Sequence, residues 1–181
     1  HILVEPRERE RSGPGARVIL CVGTAMNSGK SHAAAACCYA LSSMEKKVRA
    51  AKITGTASLK DILLMQDCGA QKVLDFTSFG HPSTYMLEEE RLLDIFRKVD
   101  RKYGNNPRNY LVLEFADGIF QRETAMLLRH HEVQSRLHRL ILCASDAAGV
   151  AGGLDMLKRD FDLVPHAISG VCSSSPLALR E

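Results

Sequence analysis

The chain predicts an α/β domain in three layers, a mainly parallel sheet with helices on both faces. Three observations predict it. Short apolar runs alternate with longer helix-forming stretches along the whole chain. The apolar runs are continuous rather than alternating in polarity, as strands covered on both faces require. The length of 181 residues suits one domain able to bury a full core.

The elements follow in order. Residues 1–16, HILVEPRERERSGPGA, alternate Arg with Glu and end in Ser-Gly-Pro-Gly, which reads as a solvated linker from an upstream domain; 17–181 form the domain proper. Residues 17–22 are the first apolar strand, and the Ala-rich stretch KSHAAAACCYALSSM is a good helix former. A second strand is expected over 48–53, a short helix over 59–68 and a short strand over 72–76, followed by the loop FGHPSTY. Residues 88–103 place Leu92, Leu93, Ile95, Phe96 and Val99 on one side of a helix that NNPRN terminates. Strand 110–115, helix 123–131, strand 140–144, helix 150–161 and strand 167–172 complete the alternation, with no internal repeat.

Composition narrows the function. The net charge of +3 comes from bases interleaved with acids, which argues against a nucleic-acid or membrane-surface partner. No run of about 18 apolar residues offers a membrane span, and no secretory segment is evident. The six cysteines lack CxxC spacing; Cys21, Cys143 and Cys172 fall in apolar runs read as strands, and the neighbours Cys37 and Cys38 fall on the Ala-rich helix. Buried free thiols in a reducing cytoplasm are the expectation.

The chemistry concentrates in GTAMNSGKSH, residues 23–32, directly after the first strand. Gly29, Lys30 and Ser31 match the second half of the phosphate-loop pattern G-x-x-x-x-G-K-[ST]. The first glycine is one place early, at Gly23, with Thr24 in its slot. A turn between a buried strand and a helix aims successive N–H groups at an anion, and the helix end adds its positive dipole. Gly23, Thr24, Asn27 and Ser28 are therefore expected to line a nucleotide phosphate site, with Gly29, Lys30, Ser31 and His32 at the helix start. Lys30 would neutralise the terminal phosphates and the Ser31 hydroxyl would ligate Mg²⁺. The fold class sharpens to a P-loop NTPase fold.

With these residues in place, the sequence resembles dethiobiotin synthetase and its relatives, which share the form G-T-x-x-x-x-x-GK-[ST] with VGTAMNSGKS. KKVRAAKITGT is similar to that family's second strand, LKDILLMQDCGA to the segment carrying a metal-binding aspartate, and YLVLEFADG to a strand ending in a metal-binding glutamate. LILCASDAAGVAGGLDML resembles its later strand, loop and helix. The resemblance implies that Ser31, Asp61 and Glu114 gather round Mg²⁺ and that Lys52 reaches the transferred phosphoryl group or an acidic substrate. Asp61 also reads as a first-turn helix acid favoured by the dipole, and Lys52 as a solvated strand-end lysine. Glu114, closing a buried strand, needs a partner on either reading.

The chain departs from the family on the substrate side. Ala25 and Asn27 stand where the dethiobiotin enzymes carry loop acids, and Phe115 and Asp117 replace glycines. The adenine-reading Asn would fall at Ser173 or Ser174. Asp117 reads either as an added metal ligand or general base, or as a turn former before glycine. His81 in GHPSTY, Arg122 as an anion clamp, and His130 with His131 at a helix end are lesser candidates.

The resemblance implies a domain that uses ATP and Mg²⁺ to phosphorylate a small acidic substrate for ligation or amide formation, as a homodimer. A regulatory NTPase, hydrolysing ATP or GTP as a switch on an upstream or partner domain, is the principal rival. A nucleotide-binding module without chemistry is the second rival. No N/TKxD guanine reader is visible. A second lysine and two spaced acids exceed what binding alone requires, which tilts the reading toward catalysis.

Overall fold

Residues 15–174 and Pro176 are described by the structure, a computed structural model. The elements are β1 (Arg17–Gly23), α1 (Lys30–Ser43), β2 (Lys47–Lys52), α2 (Leu59–Asp67), β3 (Lys72–Asp75), α3 (Glu89–Tyr103) and β4 (Asn109–Glu114). They continue as α4 (Arg122–Arg129), α5 (His131–Gln134), β5 (Leu137–Cys143), α6 (Ala147–Phe161) and β6 (Ala167–Ser169). The strands form one six-stranded sheet in the order β3-β2-β4-β1-β5-β6, with every pairing parallel. β1 lies between β4 and β5, and the chain winds outward from it in both directions. A crevice therefore opens at the strand C-termini, where this topology binds ligands.

The two faces are packed differently. On one, Val18, Leu20 and Val22 of β1 meet Leu92, Phe96 and Val99 of α3, Leu127 of α4 and Leu157 of α6 in the larger core. Burying each such side chain contributes roughly 1.5–3 kcal/mol relative to exposure. On the other, Cys21 of β1, Val112 of β4 and Cys143 of β5 meet Ala33, Ala34 and Cys38 of α1 and Met65 of α2. That face is built mainly from small residues, so α1 sits close to the sheet.

The expected alternation holds, with local differences that have physical causes. Ala16 is buried and its N–H donates to the Gly104 carbonyl at 2.8 Å, so it belongs to the domain body. The rest of the expected linker up to residue 14, and any upstream domain, lie outside the described residues. The helix expected over 123–131 breaks at His130, which adopts extended backbone and accepts the Glu132 N–H on its own Nδ1, capping α5. α6 starts at Ala147, earlier than the expected 150, because Asp146 caps it by accepting the Gly149 N–H. β6 stops at Ser169, and Cys172 lies in a 3-10 turn rather than in a strand. Gly170 forces that stop: its φ is +102°, and a Cβ there would lie 2.1 Å from the Ser28 carbonyl oxygen.

All six cysteines are free thiols. No helix among the described residues is long and apolar enough to cross a membrane.

Candidate functional site

The stretch that carried the motif is a tight turn between β1 and α1. Gly23 is required there, since a Cβ would lie 2.1 Å from Ser28 Oγ and 2.9 Å from the Lys30 side chain. Asn27, at φ 60°, and Gly29, at φ 97°, reverse the chain, the left-handed steps that build a nest of inward N–H groups. Two bonds anchor the turn to the sheet edge: Thr24 N–H donates to the Cys143 carbonyl at 2.9 Å, and Val171 N–H donates to the Ser28 carbonyl at 3.2 Å. Gly29 presses on Gly170, where a Cβ would come within 2.7 Å of its Cα.

Inside the turn the donors are free. α1 begins at Lys30 without a side-chain cap on Gly29. Among the described residues, the N–H groups of residues 25–31 have no hydrogen-bond acceptor, and the buried Ser28 hydroxyl has no partner. The Lys30 ammonium curls back to donate to the Ala25 carbonyl at 2.8 Å, closing the turn into a ring. Unsatisfied donors, a buried cation and a helix N-terminus together form a receptor for an anion. His32, in the same first turn of α1, is exposed.

Beside the turn, the ends of β2 and β4 bring the remaining candidates together. Lys52 and Glu114 are register partners, and Cys21 of β1 pairs with Glu114 on its other side. Ser31 Oγ donates to Glu114 Oε1 at 3.0 Å, while Glu114 Oε2 is buried with no partner. Lys52 donates to Asp61 on α2 and forms an ion pair with it. Burial pushes the Glu114 carboxyl above its ordinary range, opposed by Lys52, the Ser31 hydroxyl and Lys30. Burial likewise lowers Lys30, opposed by Glu114 and Asp117. Thus Lys30, Lys52, Asp61, Glu114 and Asp117 share one electrostatic neighbourhood.

The residues present fit a hard cation in part. The orphaned oxygen of Glu114 and the Ser31 hydroxyl bonded to its partner oxygen form a two-ligand edge of the kind Mg²⁺ uses, the other positions going to phosphate and water. Asp61 differs from the expected ligand role in that its Oδ2 faces Lys52. Among the described residues no three His, Cys, Asp or Glu side chains form a ready metal cage.

Several supporting residues were missed in the sequence. Thr54 and Thr124 are both fully buried, and both hydroxyls donate to the Ala116 carbonyl. They hold the turn after β4 against the phosphate loop: Ile119 N–H donates to the Gly23 carbonyl at 2.8 Å, and Gly118 lies where a Cβ would meet the Thr24 oxygen at 2.8 Å. That packing brings half-buried Asp117 to Lys30. Gly55, at φ 120°, covers Lys52, and Thr84 clasps it from both sides. Glu123 is buried and accepts the Met86 N–H at 2.6 Å. Arg122 donates to the Leu87 carbonyl at 2.9 Å and faces Glu88 and Glu123, so it braces the 80–87 loop rather than standing free as an anion clamp. His81 lies half-buried in that loop, and among the described residues it joins no metal-holding group. The sequence held no usable signal for this bracing, because the burial of Thr54, Glu123 and Thr124 is set by tertiary packing.

Compared with known proteins, the chain matches no family model and no curated protein sequence. Solved structures do match it. The signal recognition particle receptor FtsY from Elizabethkingia anophelis, solved in complex with GDP, has a TM-score of 0.56 at 10% identity, covering 90% of this chain and 50% of that one. The kinase domain of the Escherichia coli tyrosine kinase ETK has a TM-score of 0.58 at 13% identity, covering 89% of this chain and 70% of that one. The chain thus spans half the length of the FtsY chain. At these identities the likeness shows the fold alone, the three-layer α/β fold of P-loop NTPases.

Proposed function

We propose that this chain is a Mg²⁺-dependent ATP-binding domain that transfers a phosphoryl group to a small acidic molecule, activating it for ligation or amide formation. One observation carries the reading: two lysines, each only 6% exposed, both act electrostatically on buried Glu114, one oxygen of which lacks a partner among the described residues. A binding module needs one such cation. A second, buried beside it, suits charge that moves between donor and acceptor.

In this reading the amides of 25–31 and Lys30 bind the phosphates, and Ser31 with Glu114 holds the cation, which when bound offsets phosphate charge. Lys52 orients the acceptor carboxylate, which attacks the phosphorus without losing a proton, and Asp117, beside Lys30, is positioned to hold water. Asp61 restrains Lys52 until the acceptor competes for it. The differing loop residues Ala25 and Asn27 separate the acceptor from that of the dethiobiotin enzymes. A homodimer and a cytoplasmic setting belong to the same proposal.

Calorimetric titration of ATP, with and without Mg²⁺, into wild type and Lys30→Ala tests it. Tight Mg²⁺-dependent binding by wild type only is expected, and equal binding by both proteins would end the reading. A second reading, an NTPase switch using ATP or GTP on a partner domain, is favoured by the Lys52–Asp61 pair, which withholds that ammonium from any acceptor. Phosphate release that no carboxylic acid accelerates would select the switch.

A further inference from the structure

All six strands run the same way, so their N-termini line up along one edge of the sheet, at the far end from the phosphate turn. About 20 Å of strand separates the two edges. The fold sorts charge onto the N-terminal edge. Lys72 opens β3, Lys47 opens β2, Arg108 directly precedes β4 and Arg17 opens β1, all of them exposed. These strands are consecutive in the sheet, so their bases span about 14 Å, roughly three strand spacings. Arg49, the register partner of Lys72, and Lys102, near the end of α3, both lie over the Tyr103 ring, 5.5 and 6.0 Å from its centre.

Among the described residues none of these six bases forms an ion pair. Arg136 and Lys158, near the same edge, are by contrast matched by Asp100 and Asp162. Glu45 and Asp67 are the acids where α1 and α2 end. Helix dipoles explain little of the surplus. Of the six only Lys102 sits in a helix's last turn, and α1 and α2, which end here, carry no base in theirs. Arg49 and Lys72 stand side by side on neighbouring strands, where like charges cost stability, and a polyanion laid across them relieves that cost. Along the chain these bases alternate with acids, which is why the sequence argued against such a partner; folding separates the two.

We propose that this edge binds a single-stranded nucleic acid through its phosphates, with the Arg17 guanidinium stacking on an unpaired base. Exposed Arg17 is already oriented for that: it lies 5.4 Å from the centre of the Tyr110 ring and donates to the Tyr110 hydroxyl at 2.7 Å. A row of bases that tracks a backbone, joined to a plane on which a base stacks, is the pattern of sequence-tolerant single-strand binding. A membrane surface fits less well. Between β3 and β1, Met44 is the large apolar side chain exposed at this edge among the described residues, too little to insert.

Fluorescence anisotropy of a labelled oligouridylate of about 12 nucleotides, titrated with the full chain, tests it. About six phosphate contacts give a log–log salt slope near −4, a loss of about 300-fold between roughly 50 and 200 mM salt. Lys47→Gln with Lys72→Gln is expected to weaken binding roughly 50-fold at the lower salt and to flatten the slope by about 1.4. Lys60→Gln with Arg91→Gln removes the same charge from the opposite edge and should change affinity by less than about threefold. Arg17→Lys keeps the charge and should cost about fivefold with the slope unchanged. Lys30→Ala should bind the oligonucleotide as wild type does, so the outcome stands apart from the nucleotide reading. Equal losses in the two double variants, lost binding in Lys30→Ala, a slope near zero, or an Arg17→Lys variant as tight as wild type would overturn the proposal. So would displacement by polyglutamate of equal charge, or tighter binding to phosphatidylserine vesicles, which would reassign the edge to an acidic protein or a membrane.

Discussion

Lys30, at the start of α1, and Lys52, at the end of β2, are equally buried, but their surroundings differ in kind. Lys30 donates to a neutral carbonyl, at Ala25, inside a turn of free N–H groups. Lys52 is already paired with a carboxylate, at Asp61, under a lid of Gly55 held by Thr84. A buried ammonium whose contact partner is a carbonyl is incompletely compensated, and an anion relieves it. A buried ammonium in an ion pair is compensated, and a ligand must exchange with its partner. The difference teaches that one half of the site is built to bind and the other to respond.

Breaking the responding half gives the largest expected effect. Lys52→Ala is expected to lower phosphoryl transfer, or basal phosphate release, by about 10²–10³-fold, the range for losing one preorganised charge-stabilising group. MgATP affinity should change by less than about threefold, since the proposed reading sets the phosphates against Lys30. Steady-state turnover with parallel calorimetry separates these. A loss of affinity as large as the loss of turnover would merge the two halves into one anion site.

The binding half comes next. Lys30→Ala is expected to weaken MgATP by about 100-fold, near 3 kcal/mol, as for removing one member of a desolvated charge pair. Glu114→Gln sharpens the same half. It removes the charge of the orphaned oxygen while keeping the Ser31 contact, so the roughly tenfold advantage expected of Mg²⁺ over EDTA should shrink toward none. Retention of full Mg²⁺ dependence in Glu114→Gln would move the cation elsewhere.

How much of this was legible depended on sequence distance. The turn at 23–31 was readable because its parts are contiguous: an apolar strand, glycines at 23 and 29, then Lys-Ser at a helix start. Lys52 and Glu114 were readable as strand ends, but their contact was not, because alternation of strands and helices does not reveal that β4 inserts between β1 and β2. Asp61 was legible as an acid near the site, yet its engagement by Lys52 depends on where α2 lands. Thr54 and Thr124 were invisible, since they meet at one carbonyl across 70 residues of chain. The helix expected from 150 starts at Ala147 because Asp146 caps it, and Gly153 packs on Thr24, where a Cβ would lie 2.8 Å from its methyl.

The smallest expected effect bears on whether the two halves are independent. Ala116 stands between them: its Cβ lies 3.0 Å from where a Cβ on Gly55 would be, above Lys52, and its neighbour Asp117 acts on Lys30. Thr54 and Thr124 both donate to its carbonyl. Either Thr→Val alone leaves that oxygen one donor, so each should cost about 1 kcal/mol in urea unfolding. Thr54→Val with Thr124→Val leaves a buried carbonyl without either hydroxyl, and the pair should cost more than the sum of the singles, by roughly 1 kcal/mol. If the halves are separate, the double variant shifts turnover and leaves MgATP affinity within about threefold. If affinity falls with turnover, the carbonyl clamp couples them, and the division between a binding lysine and a responding one is a property of the resting protein only.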